Sequence, residues 1–283
     1  MIDIILVHIG NSDYLSTSLF ALTRFSGFKI TLLGDEANVE LASKFNIRHA
    51  RLAEFQDQRW DDIEKSYIHD SKLPVHFEKF CFLRFAAILR FVENKNIERF
   101  IYVDSDIVIL NRTILDCMAL SLAEMNLGCL TPAATFFSAW RSTTLSDFVK
   151  FLPSYFTLPA GGDRHCDMFA LSVFIQRQNS NLVEAALARY VASYGPSFYF
   201  QDPNFSFSPI LMKFSNVWNY REVSKKRYDI RSFIFYVDGV YVYRPFSNGP
   251  DLNIDFVHLN GDTKFYHTDF RDFLVESEAK TSG

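Results

Sequence analysis

Two carboxylates one residue apart, Asp104 and Asp106, sit in the run Phe-Ile-Tyr-Val-Asp-Ser-Asp-Ile-Val-Ile-Leu. Acids at that spacing can share a divalent cation, and a cation held there can hold a diphosphate. Hard oxygen ligands suit magnesium or manganese, both of which keep coordination sites for water and phosphate oxygens. The spacing by itself recurs by chance, so the flanks matter. Here they are apolar on both sides and read as a buried strand that delivers Asp104, Ser105 and Asp106 to its end. The plainer alternative is a pair of turn or capping aspartates.

A second constellation lies near the C-terminal end, in His258-Leu259-Asn260-Gly261-Asp262-Thr263-Lys264. The run Asp-Phe-Val-His reads as a strand that delivers His258. An imidazole is a credible third ligand and biases a two-carboxylate site toward manganese. Gly261 permits close backbone approach, and Lys264 can reach a phosphate as a point charge. Taken singly, His258 reads more readily as a core histidine and Lys264 as a solvated lysine. A third candidate is Arg84, set among Phe82, Leu83, Phe85 and Ile88. A charge in that setting needs a partner, and Asp104 or a bound diphosphate is a candidate; the alternative is a side chain reaching out from the helix edge.

The elements that must position these residues read as follows. Residues 2–9 form a strand and 12–25 a helix. Residues 29–35 form a second strand, 36–45 a second helix opened by acidic residues, and 47–50 a short strand. Residues 77–93 form a long helix ahead of the Asp-Ser-Asp strand. This alternation predicts an α/β fold with a parallel, doubly wound sheet. Ligands bind such sheets at the carboxyl ends of strands, where both His8-Ile9-Gly10-Asn11 and Asp104-Ser105-Asp106 fall. Beyond residue 115 the pattern is irregular. Leu127–Ala133 reads as a strand, 157–178 as a Gly-rich loop entering a helix, and 233–246 as a hairpin about Asp238-Gly239.

Composition narrows the classes. The chain has 283 residues, 48% hydrophobic and 22% charged, which suits one large domain or two packed ones and excludes a disordered chain. Thirty Phe imply an aromatic core, with some rings free to serve as stacking platforms. A formal net charge of −4 supplies no field for nucleic acid. The four cysteines, Cys81, Cys117, Cys129 and Cys166, make no zinc pattern and read as reduced, buried thiols. The N-terminus lacks the basic region of a signal peptide, and no stretch is long and apolar enough to span a bilayer. The expectation is a soluble, cytoplasmic protein of open oligomeric state. The stretch 219–231, with five Lys or Arg and two Tyr, allows peripheral contact at the inner face of a membrane, although a solvated face is the plainer reading.

Together these residues resemble the GT-A-fold glycosyltransferases, in particular family 8 and related bacterial capsular or lipopolysaccharide sugar transferases. The resemblance rests on the Asp-x-Asp strand, the gap-free His-x-x-Gly-x-x-Lys at 258–264, and Arg84 twenty residues before Asp104. It covers roughly residues 2–115 and 158–266. It implies a Rossmann-like, mostly parallel central sheet flanked by helices, in a single domain over residues 1–283. Residues 1–115 would form the nucleotide-sugar half, 116–266 the acceptor and catalytic half, and 267–283 a tail. It further implies Mn2+ (or Mg2+) on Asp104, Asp106 and His258, with a UDP-sugar as donor. Asn11-Ser12-Asp13-Tyr14 resembles the segment that holds uridine, with Tyr14 stacked on uracil. His8, Gly10, Asp13, Tyr14, Arg84, Ser105, Gly261 and Lys264 would bind the donor. Gly161-Gly162-Asp163-Arg164-His165-Cys166-Asp167-Met168 resembles a Gly-rich approach to an acid that faces the sugar, although an extra residue or two separates the glycines from Asp167. Asp167 and Asp163 are the candidate catalytic carboxylates. The implied activity is retaining transfer of a hexosyl unit to a saccharide or lipid-linked saccharide in surface polysaccharide synthesis.

Three rival readings accompany this one. Haloacid-dehalogenase-like phosphatases also end an apolar strand in Asp-x-Asp, and would use Asp104 as nucleophile. That motif normally opens its domain, and here about a hundred residues precede it. The second is a non-catalytic nucleotide-sugar-binding protein, which the full ligand set argues against. The third, a nucleotidyltransferase, would want a basic, Gly-rich loop after the first strand, where His8-Ile9-Gly10-Asn11 offers one Gly and no Lys or Arg.

Overall fold

The computed structural model describes residues 1–70, 73–124, 126–129, 135–158, 166–177, 234–237, 240–243, 252–253, 256–258, 264 and 267–281. The expected alternation is present. It runs β1 (Ile2–His8), α1 (Asp13–Thr23), β2 (Phe28–Gly34), a 3-10 turn (Glu36–Asn38), α2 (Val39–Lys44), β3 (Arg48–Arg51), a second 3-10 turn (Leu52–Phe55), α3 (Gln58–Ser66), α4 (Val75–Asn94), β4 (Arg99–Val103) and β5 (Ile107–Ile109). Then follow α5 (Arg112–Glu124), β6 (Leu127–Cys129), β7 (Phe137–Arg141), α6 (Ser142–Tyr155), α7 (Asp167–Arg177), β8 (Ile234–Val237), β9 (Val240–Tyr243), β10 (Leu252–Asn253), β11 (Phe256–His258) and α8 (His267–Thr281). The contacts divide the chain into two units of interleaved segments. Unit 1 is Met1–Gly10, Gly27–Val103 and Met118–Arg189; unit 2 is Asn11–Ser26, Asp104–Cys117 and Tyr190–Gly283.

Unit 1 holds a six-stranded sheet in the order β3-β2-β1-β4-β7-β6. The first four strands are parallel, and β1 pairs with β2 over its full length from Ile2↔Phe28 to His8↔Gly34. β7 runs antiparallel to both β4 and β6, so it alone opposes the rest. The mostly parallel sheet that was expected is borne out, with β7 as the one opposing strand. The cause is the short link from β6 to β7, since a parallel neighbour needs a crossover of about a dozen residues or more. Part of the Phe content packs this unit. Phe85 of α4 meets Tyr102, Trp140 and Phe148 at ring-centroid distances of 5.8, 6.1 and 5.3 Å. All four rings are fully buried. Truncating one such ring costs about 3–5 kcal/mol.

Helices α2 and α4 end in the same way. Asn46 and Asn96 take positive φ, 51° and 52°, where asparagine is better tolerated than most residues. The next residue's N–H then reaches back into the last turn, from Ile47 to Ala42 O at 3.0 Å and from Ile97 to Val92 O at 2.8 Å. These bonds satisfy carbonyls that the helix end would otherwise leave open.

Unit 2 is built around α1, which packs on both α8 and β5. Thr17 Oγ1 donates to His267 O at 2.9 Å and ties α1 to the start of α8. The C-terminal residues expected only as a tail are therefore largely helical. The hairpin about Asp238-Gly239 is borne out by β8 and β9, in register from Ile234↔Tyr243 to Val237↔Val240, and β10 adds to β9. β5 belongs to a separate two-stranded sheet with β11. Among the described residues no helix is long and apolar enough to cross a membrane.

Candidate functional site

The Asp-x-Asp segment is a turn. β4 stops at Val103, and Ile107 N–H donates to Asp104 O at 3.1 Å, closing four residues before β5 begins. The expectation of one strand carrying both acids is corrected to this extent: an apolar strand enters, an apolar strand leaves, and the acids occupy the corner. The break is physical, because β5 takes its backbone partner from β11. Asp104 and Ser105 are half-buried, whereas Asp106 is buried.

Lys264 comes to this corner. Its Nζ lies 3.2 Å from Asp106 Oδ2 and 4.3 Å from the centroid of the Tyr14 ring. Burial works against the Lys264 ammonium, but the Asp106 carboxylate and Tyr14 more than offset it, so its pKa is raised. Three residues from three distant segments, all singled out in the sequence, thus meet in unit 2. Tyr14 is half-buried on the first turn of α1, and Asp13 beside it is exposed. One face of the Tyr14 ring lies under the ammonium.

The backbone of the His-x-x-Gly-x-x-Lys segment arrives through β11. Phe256, Val257 and His258 pair antiparallel with Ile109, Val108 and Ile107. His258 therefore stands opposite the first residue after Asp106. Its side chain, Gly261 and Asp163 lie outside the described residues, as does the basic stretch 219–231. Among the described side chains no three His, Cys, Asp or Glu gather as a metal cage. The residues present nevertheless suit a divalent cation: hard carboxylate oxygens form the corner, and Asp106 already holds a positive group in contact.

Arg84 has a different partner from those expected. Its Nη2 donates to Asp167 Oδ2 at 2.7 Å, with both side chains nearly buried, at 10% and 7% exposure. The guanidinium stacks beside Phe85 and Tyr102, 5.2 and 5.1 Å from their centroids. α4 and α7 each carry a charge into an aromatic interior, and each charge answers the other. Asp167 Oδ1 also accepts Met168 N–H at 2.9 Å, so both carboxylate oxygens are engaged.

His8 ends β1 opposite Gly34 and is buried. Gly10 follows with φ +82°, a conformation that favours glycine. Its N–H donates to Asp35 Oδ2, and its carbonyl accepts from Asn38 Nδ2, each at 2.8 Å. Asp35 and Asn38 were not singled out in the sequence, although Asp35-x-x-Asn38 directly after a strand is a readable capping pattern. All four cysteines are thiols outside any disulfide, but only Cys129 is buried, which corrects the expectation for Cys81, Cys117 and Cys166. Burial pushes the Cys166 thiol up to about 11.

Comparison with protein-family models finds no match, and comparison with curated proteins finds none. Several solved structures are similar over part of the chain. Apo mouse xyloside xylosyltransferase 1 is 12% identical with a TM-score of 0.46, over 64% of this chain and 84% of that one. Glucosyl-3-phosphoglycerate synthase from Mycobacterium tuberculosis, solved with Mn2+, UDP and glucosyl-3-phosphoglycerate, is 12% identical with a TM-score of 0.39, over 65% and 68%. A cytidylyltransferase from Leptospira borgpetersenii serovar Hardjo-bovis is 12% identical with a TM-score of 0.34, over 54% and 66%. These likenesses are partial and low in identity, and the chemistry of the site comes from this chain's own residues.

Proposed function

We propose that the chain is a metal-dependent GT-A glycosyltransferase that moves a hexosyl unit from a UDP-sugar to a saccharide or lipid-linked saccharide. The observation that carries this reading is the meeting of Lys264, Asp106 and Tyr14 in unit 2. A transferase of this kind must hold a nucleoside diphosphate and stabilise the charge that builds on it as the glycosidic bond breaks. Asp104, Asp106 and His258 would hold Mn2+ or Mg2+. When bound, such a cation supplies Lewis-acid stabilisation of the leaving diphosphate. Lys264 adds a fixed ammonium, kept charged by its carboxylate neighbour. Tyr14 offers an aromatic face to uracil, and Asp13 an exposed carboxylate to the nucleoside. Gly261 allows the backbone to approach the phosphates. His8, Gly10, Arg84 and Ser105 complete the donor-binding assignments, and Asp167 and Asp163 are the candidate catalytic carboxylates. Retention of configuration and a role in surface polysaccharide synthesis follow from the resemblance alone.

A thermal-shift screen of nucleoside diphosphates tests this. UDP at 100 times its dissociation constant should stabilise by about 2.7 kcal/mol. The shift should require Mn2+ or Mg2+ and vanish in Asp104→Ala. Hydrolysis of a simple aryl phosphate with no response to UDP would point instead to a phosphatase.

A further inference from the structure

We infer that Asp35 and Asn38 are positioning residues for the donor nucleotide, acting through the backbone of Gly10. The inference rests on the functional reading above, in which the segment that follows Gly10 takes the nucleoside. Asp35 and Asn38 open the turn after β2, and part of their bonding is ordinary capping. Asp35 Oδ1 accepts Ala37 N–H at 3.1 Å, and Asn38 Oδ1 accepts Asp35 N–H at 3.2 Å. That leaves one oxygen on Asp35 and one amide nitrogen on Asn38 that the cap does not need. Both are spent on Gly10, 25 and 28 positions earlier: Asp35 Oδ2 takes its N–H and Asn38 Nδ2 donates to its carbonyl. One residue with a positive φ is thereby gripped at both of its polar groups.

The lock is itself built in. Asn38 is 1% exposed. A Cβ at Gly34 would stand 2.2 Å from Asn38 Oδ1, so glycine there makes room for the amide. His49 Nε2 lies 3.1 Å from Asp35 O and steadies the same turn. The sheet does not call for these bonds, because β1 and β2 are already paired along seven residues. What the lock adds lies beyond β1. Ile9 is 51% exposed after an interior run in which Ile4, Ile5 and Leu6 are 0% exposed. Gly10 leads directly into Asn11-Ser12-Asp13-Tyr14, the segment assigned to uridine. Holding φ and ψ at Gly10 before the ligand arrives removes an ordering cost from binding.

Two variants separate this role from a merely structural one. Asn38→Asp keeps the side-chain shape and the oxygen that accepts Asp35 N–H, but loses the donor to Gly10. Gly10→Ala keeps both backbone groups while opposing the positive φ, and its added Cβ would meet no atom within 4 Å. UDP affinity is measured by calorimetry with Mn2+, together with the exchange rate of the Gly10 amide, KM and kcat for UDP-glucose hydrolysis, and the melting temperature without nucleotide. Loss of one such hydrogen bond should weaken UDP binding about tenfold. KM should rise with kcat little changed, Gly10 exchange should quicken in Asn38→Asp, and Asn38→Asp combined with Gly10→Ala should be no weaker than the worse single variant. Unchanged UDP affinity in both variants, even with a lowered melting temperature, overturns the inference and leaves only a cap. Should Asn38→Asp fail to fold, Asp35→Asn decides, since it keeps the oxygen that caps Ala37 N–H and loses the acceptor of the Gly10 N–H. A wild-type chain that binds no UDP takes down the functional reading and this inference together; a wild-type chain that binds beside variants that bind equally well sinks the inference only.

Discussion

Among the described residues, two ion pairs, one in each unit, are built differently. In unit 1, Arg84 and Asp167 are nearly buried, meet at 2.7 Å and lie against aromatic rings. In unit 2, Lys264 and Asp106 meet at 3.2 Å, with 34% of the lysine side chain still in solvent. A buried pair costs several kcal/mol to desolvate and is strongly destabilising to break. A pair with one exposed partner is worth little to the fold, but it can exchange partners with an arriving ligand. The first pair therefore carries stability in unit 1 besides its proposed role, and on the proposed reading the second is the place where cation and phosphate would exchange with the lysine.

The contrast can be broken most sharply at Asp106. On the proposed function, Asp106→Ala, or Asp104→Ala, should abolish sugar transfer while leaving the melting temperature close to wild type, and chelation of divalent cations should have the same effect on the wild-type chain. Near-normal turnover by Asp106→Ala at saturating manganese would count against the site. The reverse pattern is expected in unit 1. Asp167→Ala strands a buried guanidinium and should cost about 3–5 kcal/mol of stability in urea titration. A loss below about 1 kcal/mol would show that the pair is less enclosed than its geometry indicates. Lys264→Ala should lower the transfer rate about a hundredfold, roughly 3 kcal/mol in the barrier, and leave a trace of activity. An unchanged rate would remove the lysine from the diphosphate.

The smallest effect concerns pH. The folded pKa of Lys264 lies above its ordinary 10.5. Its contribution to stability is therefore fully present below 10.5 and is lost as pH climbs through the folded value. Melting curves of wild type and Lys264→Met should converge as pH climbs beyond 10.5 through the folded value, with the wild type falling faster. Parallel alkaline limbs would contradict the contact with Asp106.

Much of the site was legible because it is local in character. Apolar flanks place Asp104 and Asp106 at a strand end whatever the tertiary fold, and Gly10, Tyr14 and Lys264 sit where strand endings and loops can be read from hydropathy. The turn at Asp104–Ile107 was missed because apolar residues on both sides look the same for one strand as for two. β7 was missed altogether, because the pattern beyond residue 115 is irregular, and its direction is set by its pairing with β4 and β6. The lock on Gly10 was missed because a capping pattern does not reveal where the second side-chain atom points.

The amino-acid order alone determined that apolar strands deliver acids to their ends, that α4 carries a charge into an apolar face, and that a hairpin turns at Asp238-Gly239. Only the tertiary structure decided partnership: Arg84 with Asp167, Lys264 with Asp106 and Tyr14, and His258 in register beside Ile107. Hydropathy periodicity reports which side of an element is buried, whereas pairing between distant charges depends on chain paths that no local pattern contains.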